Sequence, residues 1–169
     1  MNWEALGAIG ELIGAVAVLM TLIYLALQIR ETNRATRVQM ESVGGQWWSQ
    51  HNREMIHDPE MIELIEAGLR DAKGLDDADR RRFTWWLAAL FYFFQNQHTQ
   101  YIEGTISIDS WQSSQKTIDG LIHNPNVQVW WDSGFFQANE SFSQLVSELR
   151  SNAGTSWQWV DIARLYDDA

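Results

Sequence analysis

The feature that most constrains this chain is an apolar run near its N-terminus, residues 5–27, whose only charged side chain is Glu11. A helix of that length is about 35 Å long, enough to cross a hydrocarbon core of about 30 Å with some tilt. A cleaved signal peptide needs a basic start, whereas residues 1–4 contain no Lys or Arg. Buried helices of soluble proteins are rarely apolar on all faces over such a length. The run therefore predicts a transmembrane helix.

The residues that flank the run predict its orientation. Arg30, Arg34 and Arg37 follow it, and no basic residue precedes it. Because positive charge is concentrated on the cytoplasmic side of membrane spans, we expect the N-terminus outside and the C-terminal part in the cytoplasm. Trp3 and Tyr24 lie near the two ends of the run, where amphipathic rings anchor at the lipid headgroups. These five side chains are the predicted membrane-interface anchors.

One face of the predicted span is polar or glycine-rich, and we call it the seam. Its members are Gly7, Glu11, Gly14, Val18, Thr21, Leu25 and Gln28, spaced alternately four and three residues apart, together with the adjacent Gly10. The Gly10-x-x-x-Gly14 spacing lets two helices approach closely, and a carboxylate inside a membrane usually faces protein or water. The seam therefore predicts packing against a second copy or another membrane protein. The alternative is a simple anchor helix with incidental glycines, in which Glu11, about 9 Å from the start of the run, reaches the outer interface.

Charge and composition divide the chain into two parts. Residues 1–40 are neutral, so the rest carries the whole formal net charge of -10. That acidic balance excludes nucleic acid as an expected partner, because phosphate binding needs a basic surface. The absence of cysteine excludes disulfides, thiolate metal sites and a cysteine nucleophile. We expect a transmembrane and juxtamembrane helix over residues 1–43, ended by Gly44-Gly45, and an acidic α-helical cytoplasmic domain over residues 44–169.

The pattern predicts an all-α fold, in which a long N-terminal transmembrane helix continues into a compact helical-bundle domain. No segment shows the sustained alternation that is typical of strands. Asp58-Pro59 and Asn124-Pro125 have the chemistry of helix starts, and Asp109 with Gln112 matches a capping box. The helix that starts at Asp58-Pro59 is expected to end at Gly68 or Gly74. Three further helices are expected over residues 77–103, 109–123 and about 139–150.

The predicted helix over residues 77–103 contains the apolar run 83–94, which is too short to span a bilayer. We expect it to be the central buried helix. The alternative is a segment in the membrane interface, with the basic residues 80–82 at lipid phosphates. The tail from Ser156 is too apolar for a free terminus, and we expect it to dock.

The opening ALGAIGELIGAVAVLMTLIYLALQIRETNRATR resembles a widespread family of small bacterial membrane proteins. The resemblance covers nearly the whole chain and includes the later residues Gly104, Trp111, Asn124, Pro125, Trp130, Trp131, Phe135, Phe136 and Phe142. Members have one N-terminal span followed by an α-helical cytoplasmic region. The resemblance thus implies a bacterial inner (plasma) membrane location and this topology. The family is uncharacterised, so the resemblance implies no activity.

Two stretches of the sequence carry side chains that could bind a metal, but neither forms a complete motif. Glu54 and His57 match the Glu-x-x-His half-motif of di-iron bundles, but the only comparable stretch, residues 95–98, has glutamine in place of the acid. We expect a solvent-facing pair just before a helix break. Asp76 and its acidic neighbours resemble part of a calcium loop, but the glycine and the distal glutamate are missing. Their position favours charges at a helix start.

The histidines show no catalytic pattern. His98 and Tyr101 lie beside the central apolar run, which predicts a partly buried histidine with a hydrogen-bond partner. His51 and His123 have no neighbouring constellation. We therefore expect no catalytic residue, no cofactor and no metal.

Three function classes follow. The leading one is a single-pass membrane protein that acts by protein–protein association along the seam, in contact with lipid and with a second copy or another membrane protein. The second is a homo-oligomeric cation channel in which a ring of Glu11 carboxylates lines the pore. The third, a membrane-tethered enzyme, lacks any supporting constellation of residues.

Overall fold

The computed structural model describes residues 3–152, which form six α-helices and contain no strand. These are α1 (Trp3–His57), α2 (Pro59–Asp71), α3 (Asp77–Ile102), α4 (Ile108–Ile122), α5 (Pro125–Asp132) and α6 (Glu140–Ser151). The predicted all-α class, a long N-terminal helix followed by a helical bundle, is confirmed. The expected docking of the tail from Ser156 falls outside the described residues.

The chain divides into two compact units, Met1–Met40 and Glu41–Ala169. The first holds most of α1, including the whole apolar run. The second holds the last turns of α1 and the helical bundle. The division falls three residues before the boundary that the Gly44-Gly45 pair suggested.

The prediction that α1 ends at Gly44-Gly45 is wrong, because the helix continues to His57. Two mid-helix glycines cost roughly 2 kcal/mol of helix propensity. Packing against α3 compensates for that loss. The ring of Trp47 stacks on Phe93 with centroids 3.9 Å apart. A Cβ at Gly44 would lie 2.9 Å from Nε2 of Gln97, so the glycine also permits close approach of the two helices.

Local side-chain chemistry starts most of the bundle helices. Asp58 accepts the backbone N–H of Met61 at 3.1 Å and caps α2, with Pro59 in the first turn. Asn124 caps α5, accepting the N–H groups of Asn126 and Val127 at 2.9 and 3.3 Å. Both predicted starts are confirmed, as each side chain replaces a hydrogen bond that the first helical turn lacks.

Two other boundaries differ from the expectation. The cap of α4 is Ser107, whose Oγ accepts the N–H of Ser110 at 3.3 Å, so the capping box at Asp109 is wrong by two residues. Neither predicted glycine ends α2, which reaches Asp71. Gly68 lies inside the helix, where the ring of Phe83 occupies the space that a Cβ at this position would need.

Helix α3 is the centre of the bundle, as predicted. Its buried side chains are Phe83, Trp86, Leu87, Leu90, Phe91, Phe94 and His98. Helix α4 packs against α3 and α6, and α2 packs against α3 and α5. The guanidinium of Arg80 donates to the carbonyls of Ala72 and Lys73 at 3.3 and 3.0 Å and so holds the α2–α3 connection. This engagement argues against the alternative that placed Arg80 at lipid phosphates.

Candidate functional site

The apolar part of α1 is the most unusual surface of the described chain. It is the one helix among the described residues that is long and apolar enough to cross a membrane, and none of its apolar window is buried. Twelve large apolar side chains between residues 5 and 27 are exposed. At about 1.5 kcal/mol each, covering them would stabilise the protein by roughly 18 kcal/mol. A whole folded domain is stable by about 5–15 kcal/mol, so this is the surface of the described chain that would gain most from contact with lipid or protein.

The structure places every seam residue on this exposed helix. Gly7, Gly10 and Gly14 have nothing within 4 Å of the position that a Cβ would occupy. Within the described residues, the space beside the glycines is therefore free for a second helix. Since α1 is continuous through residues 7–28, positions four and three residues apart share one face. An ideal helix drifts by about 20° per heptad, so the seam winds by roughly 60° over three heptads.

The polar members of the seam differ in how they are satisfied. The hydroxyl of Thr21 donates to the carbonyl of Ala17 at 2.9 Å. Its donor is therefore satisfied inside the helix and needs neither water nor a partner. Glu11 and Gln28 are exposed on the same face. Val18 and Leu25, the apolar members, are also exposed and separate the polar positions.

The five predicted anchors are exposed along α1. Trp3 and Tyr24 are both exposed, and the helical rise separates them by about 32 Å, close to the thickness of a hydrocarbon core of about 30 Å. Arg30, Arg34 and Arg37 are exposed on the turns that follow.

No family model matches the chain, and no curated protein or solved structure shows a significant match to it.

The bundle contains one histidine cluster that the sequence reasoning missed. The Nε1–H of Trp86 donates to Nε2 of His51 at 3.4 Å, and the His51 ring stacks on Trp47 with centroids 4.9 Å apart. Burial lowers the pKa of His51, although the nearby Glu54 raises it. Trp47 and His51 are four residues apart on one helix face, a signal that was lost because the helix was expected to end at residue 43.

His98 differs from its expectation. It is buried between the rings of Trp111 and Phe142, at centroid distances of 5.0 and 5.8 Å. Its Nδ1 has no hydrogen-bond partner among the described residues, so the structure does not supply the expected partner at that nitrogen. Tyr101 stacks on Trp111 instead, with centroids 5.5 Å apart. Burial lowers the pKa of His98 and favours its neutral form.

The carboxylates of the two possible metal-binding stretches accept hydrogen bonds from their own helices. Asp76 accepts the N–H groups of Ala78 and Asp79, each at 2.8 Å, and caps α3. The bond from Asp79 is the main cause that lowers the pKa of Asp76. Glu54 accepts from Gln50 at 3.0 Å and, with His57, lines an open hollow of about 750 Å³. Across residues 3–152, no group of three or more His, Asp or Glu side chains could hold a metal ion.

Proposed function

We propose that this chain is a single-pass membrane protein of the bacterial inner membrane. The observation that carries the proposal is the apolar helix whose side chains are exposed from Gly7 to Gln39. Its apolar length matches a bilayer, and the arginines that follow it favour a cytoplasmic bundle. The resemblance of the opening residues to bacterial single-pass proteins supports the same topology.

The span acts, in this proposal, by association along the seam. Two helices approach closely where small residues face each other, because the backbones themselves come into van der Waals contact. Gly7, Gly10 and Gly14 offer such a surface, with open space beside each of them. The partner is a second copy or another membrane protein. In this proposal the protein functions by assembling with its partner, not by catalysing a reaction, and it needs no cofactor.

A cation channel is the second candidate, and the exposed Glu11 on the seam favours it. A ring of such carboxylates attracts cations into a pore. The same face carries Val18 and Leu25, which form apolar constrictions in a narrow pore. The hydroxyl of Thr21 is satisfied by its own helix and does not require a hydrated lumen. Val18, Leu25 and Thr21 thus favour a packed helix interface over a conducting pore.

Topology reporters test the membrane placement. Fusions after Arg37 and after Ala169 should both report the cytoplasm. A periplasmic signal from either fusion would contradict the proposed orientation.

Co-purification of two differently tagged copies tests the seam. Gly14→Leu should abolish capture of the second copy or of the partner protein, because a bulky side chain forces the helices apart. Leu19→Ile, a volume-conserving change on the opposite face, is the matched control and should leave capture unchanged. Equal capture by both variants would remove the argument for the seam.

A further inference from the structure

The bundle has an open groove between α3 and α5. Its volume is about 540 Å³, and its walls include Phe83, Val129, Trp130 and Phe135. Val129 is 61% exposed and Phe135 is 46% exposed, so the groove presents apolar surface to its surroundings. The guanidinium of Arg80, which lines the groove, already donates to three backbone carbonyls, those of Ala72, Lys73 and Leu75. The groove therefore offers apolar contact rather than a set of free polar groups that would orient a small ligand.

The apolar surface extends beyond the groove along α3. The ring edge of Phe135 meets Trp85 with centroids 5.1 Å apart. Trp85 is 65% exposed, and Tyr92, two turns further along α3, is 59% exposed. A contiguous exposed patch of large apolar side chains on a small domain marks a contact surface.

The last described turn of the same chain, at the end of α6, lies near this groove. Near the end of α6, the guanidinium of Arg150 makes two hydrogen bonds to the carboxylate of Asp132, at 2.7 and 3.1 Å. Asp132 directly precedes Ser133, which lines the groove. The last turn of α6 is therefore held near the rim of the groove. Residues 153–156 span at most about 14 Å when extended, which sets the reach of the apolar residues that follow.

The composition of that segment suits the groove. Its large apolar side chains are Trp157, Trp159, Val160, Ile162 and Leu165. Within residues 157–165 it carries one aspartate, Asp161, and one arginine, Arg164, so this stretch has no net charge. Exposed ion pairs contribute about 0–1 kcal/mol, and burial of one large apolar side chain contributes about 1.5–3 kcal/mol. Apolar contact is therefore the interaction that would hold the segment in the groove.

We propose that residues 157–165 bind in the groove between α3 and α5 of their own chain and cover Val129 and Phe135. The segment then acts as an intramolecular cover for the apolar patch of the bundle. A second copy of the chain is the competing occupant, and the same experiment distinguishes it.

The chain has no cysteine, so disulfide trapping tests the proposal directly. Val129→Cys is combined in turn with Trp159→Cys, Ile162→Cys and Leu165→Cys in the full-length protein in membranes. At least one pair should give a faster-migrating monomer after mild oxidation. Ile102→Cys is the matched control with the same three partners, since it is an exposed apolar position on α3, about 28 Å along the helix from Phe83.

Every outcome of the trapping decides the proposal. A monomeric disulfide at Val129 that exceeds the control supports it. A disulfide-linked dimer would show that a second copy occupies the groove, and it would overturn the proposal. The absence of any disulfide, or equal trapping at Ile102, would overturn it as well.

Hydrogen exchange provides a readout that is independent of the cysteine variants. Ile162→Asp should accelerate amide exchange in residues 125–135 by about tenfold, the equivalent of about 1.4 kcal/mol. Asp168→Asn, the control, should leave that exchange unchanged. Unchanged exchange in Ile162→Asp would contradict the proposal.

Discussion

Substitution of Gly68 by alanine tests the close contact between α2 and α3. A Cβ at Gly68 would lie 2.5 Å from Cδ2 and 2.7 Å from Cε2 of Phe83, whereas carbon atoms pack at about 3.5–4.0 Å. The ring must therefore move by about 1 Å, although Phe83 is fully packed at 2% exposure. Overpacking of this kind costs about 1–3 kcal/mol, and the better helix propensity of alanine returns at most about 1 kcal/mol.

With the full propensity gain subtracted, the expected net effect of Gly68→Ala is a loss of up to about 2 kcal/mol of bundle stability. Urea unfolding of the full-length protein in detergent, followed by tryptophan fluorescence, measures it. Gly45→Ala is the matched control, because Gly45 also lies inside a helix but has nothing within 4 Å of its Cβ position. The control should be neutral or more stable by up to about 1 kcal/mol. Equal stability of the two variants would refute the inferred packing at Gly68.

Two further predictions concern ionisable side chains. Burial lowers the pKa of His98 below its ordinary value, so the neutral form stabilises the bundle above about pH 6.5, and this stability is lost as the pH falls toward the lowered value. His98→Phe also removes the unpartnered Nδ1, so it should raise the free energy of unfolding at pH 7 by about 1 kcal/mol. The variant should also lose less stability than the wild type between pH 7 and pH 5. An equal loss in both proteins, measured by urea unfolding at the two pH values, would contradict this. If the seam is a packing surface, Glu11→Gln should leave co-purification with the partner unchanged, and neither protein should conduct ions in reconstituted bilayers. A cation current that depends on Glu11 would favour the channel instead.

The fold features that the sequence predicted correctly depend on local chemistry. Asp58-Pro59 and Asn124-Pro125 each satisfy the first turn of the helix that follows them. Their effect needs no distant residue. The apolar run 83–94 likewise predicted a central helix, because a soluble bundle must bury such a segment somewhere.

The boundaries that were missed depend on contacts between helices. Gly44-Gly45 continues as helix because Trp47 stacks on Phe93 of α3. Gly68 lies inside α2 and serves there as the contact point for the ring of Phe83. Neither contact is visible in the local sequence. The cluster around His51 was missed for the same reason, since the early helix end removed Trp47 and His51 from a common face.

The candidate site has a different relation to the sequence. Composition alone predicts an apolar helix that requires lipid or protein around it, and the exposed side chains of residues 7–28 agree with that. Spacing predicts which residues share a face. The spacing of the seam does not show which protein packs against it, because that depends on the surface of the partner. The partner is therefore a proposal.

The mass of the purified particle in mild detergent tests association along the seam most directly. Native mass spectrometry should give a particle with two or more polypeptides, either several copies of this chain or one copy with a partner protein. Gly14→Leu should reduce it to a single chain, while Leu19→Ile should leave it intact. A wild-type particle that contains one copy of this chain and no other protein would contradict the account.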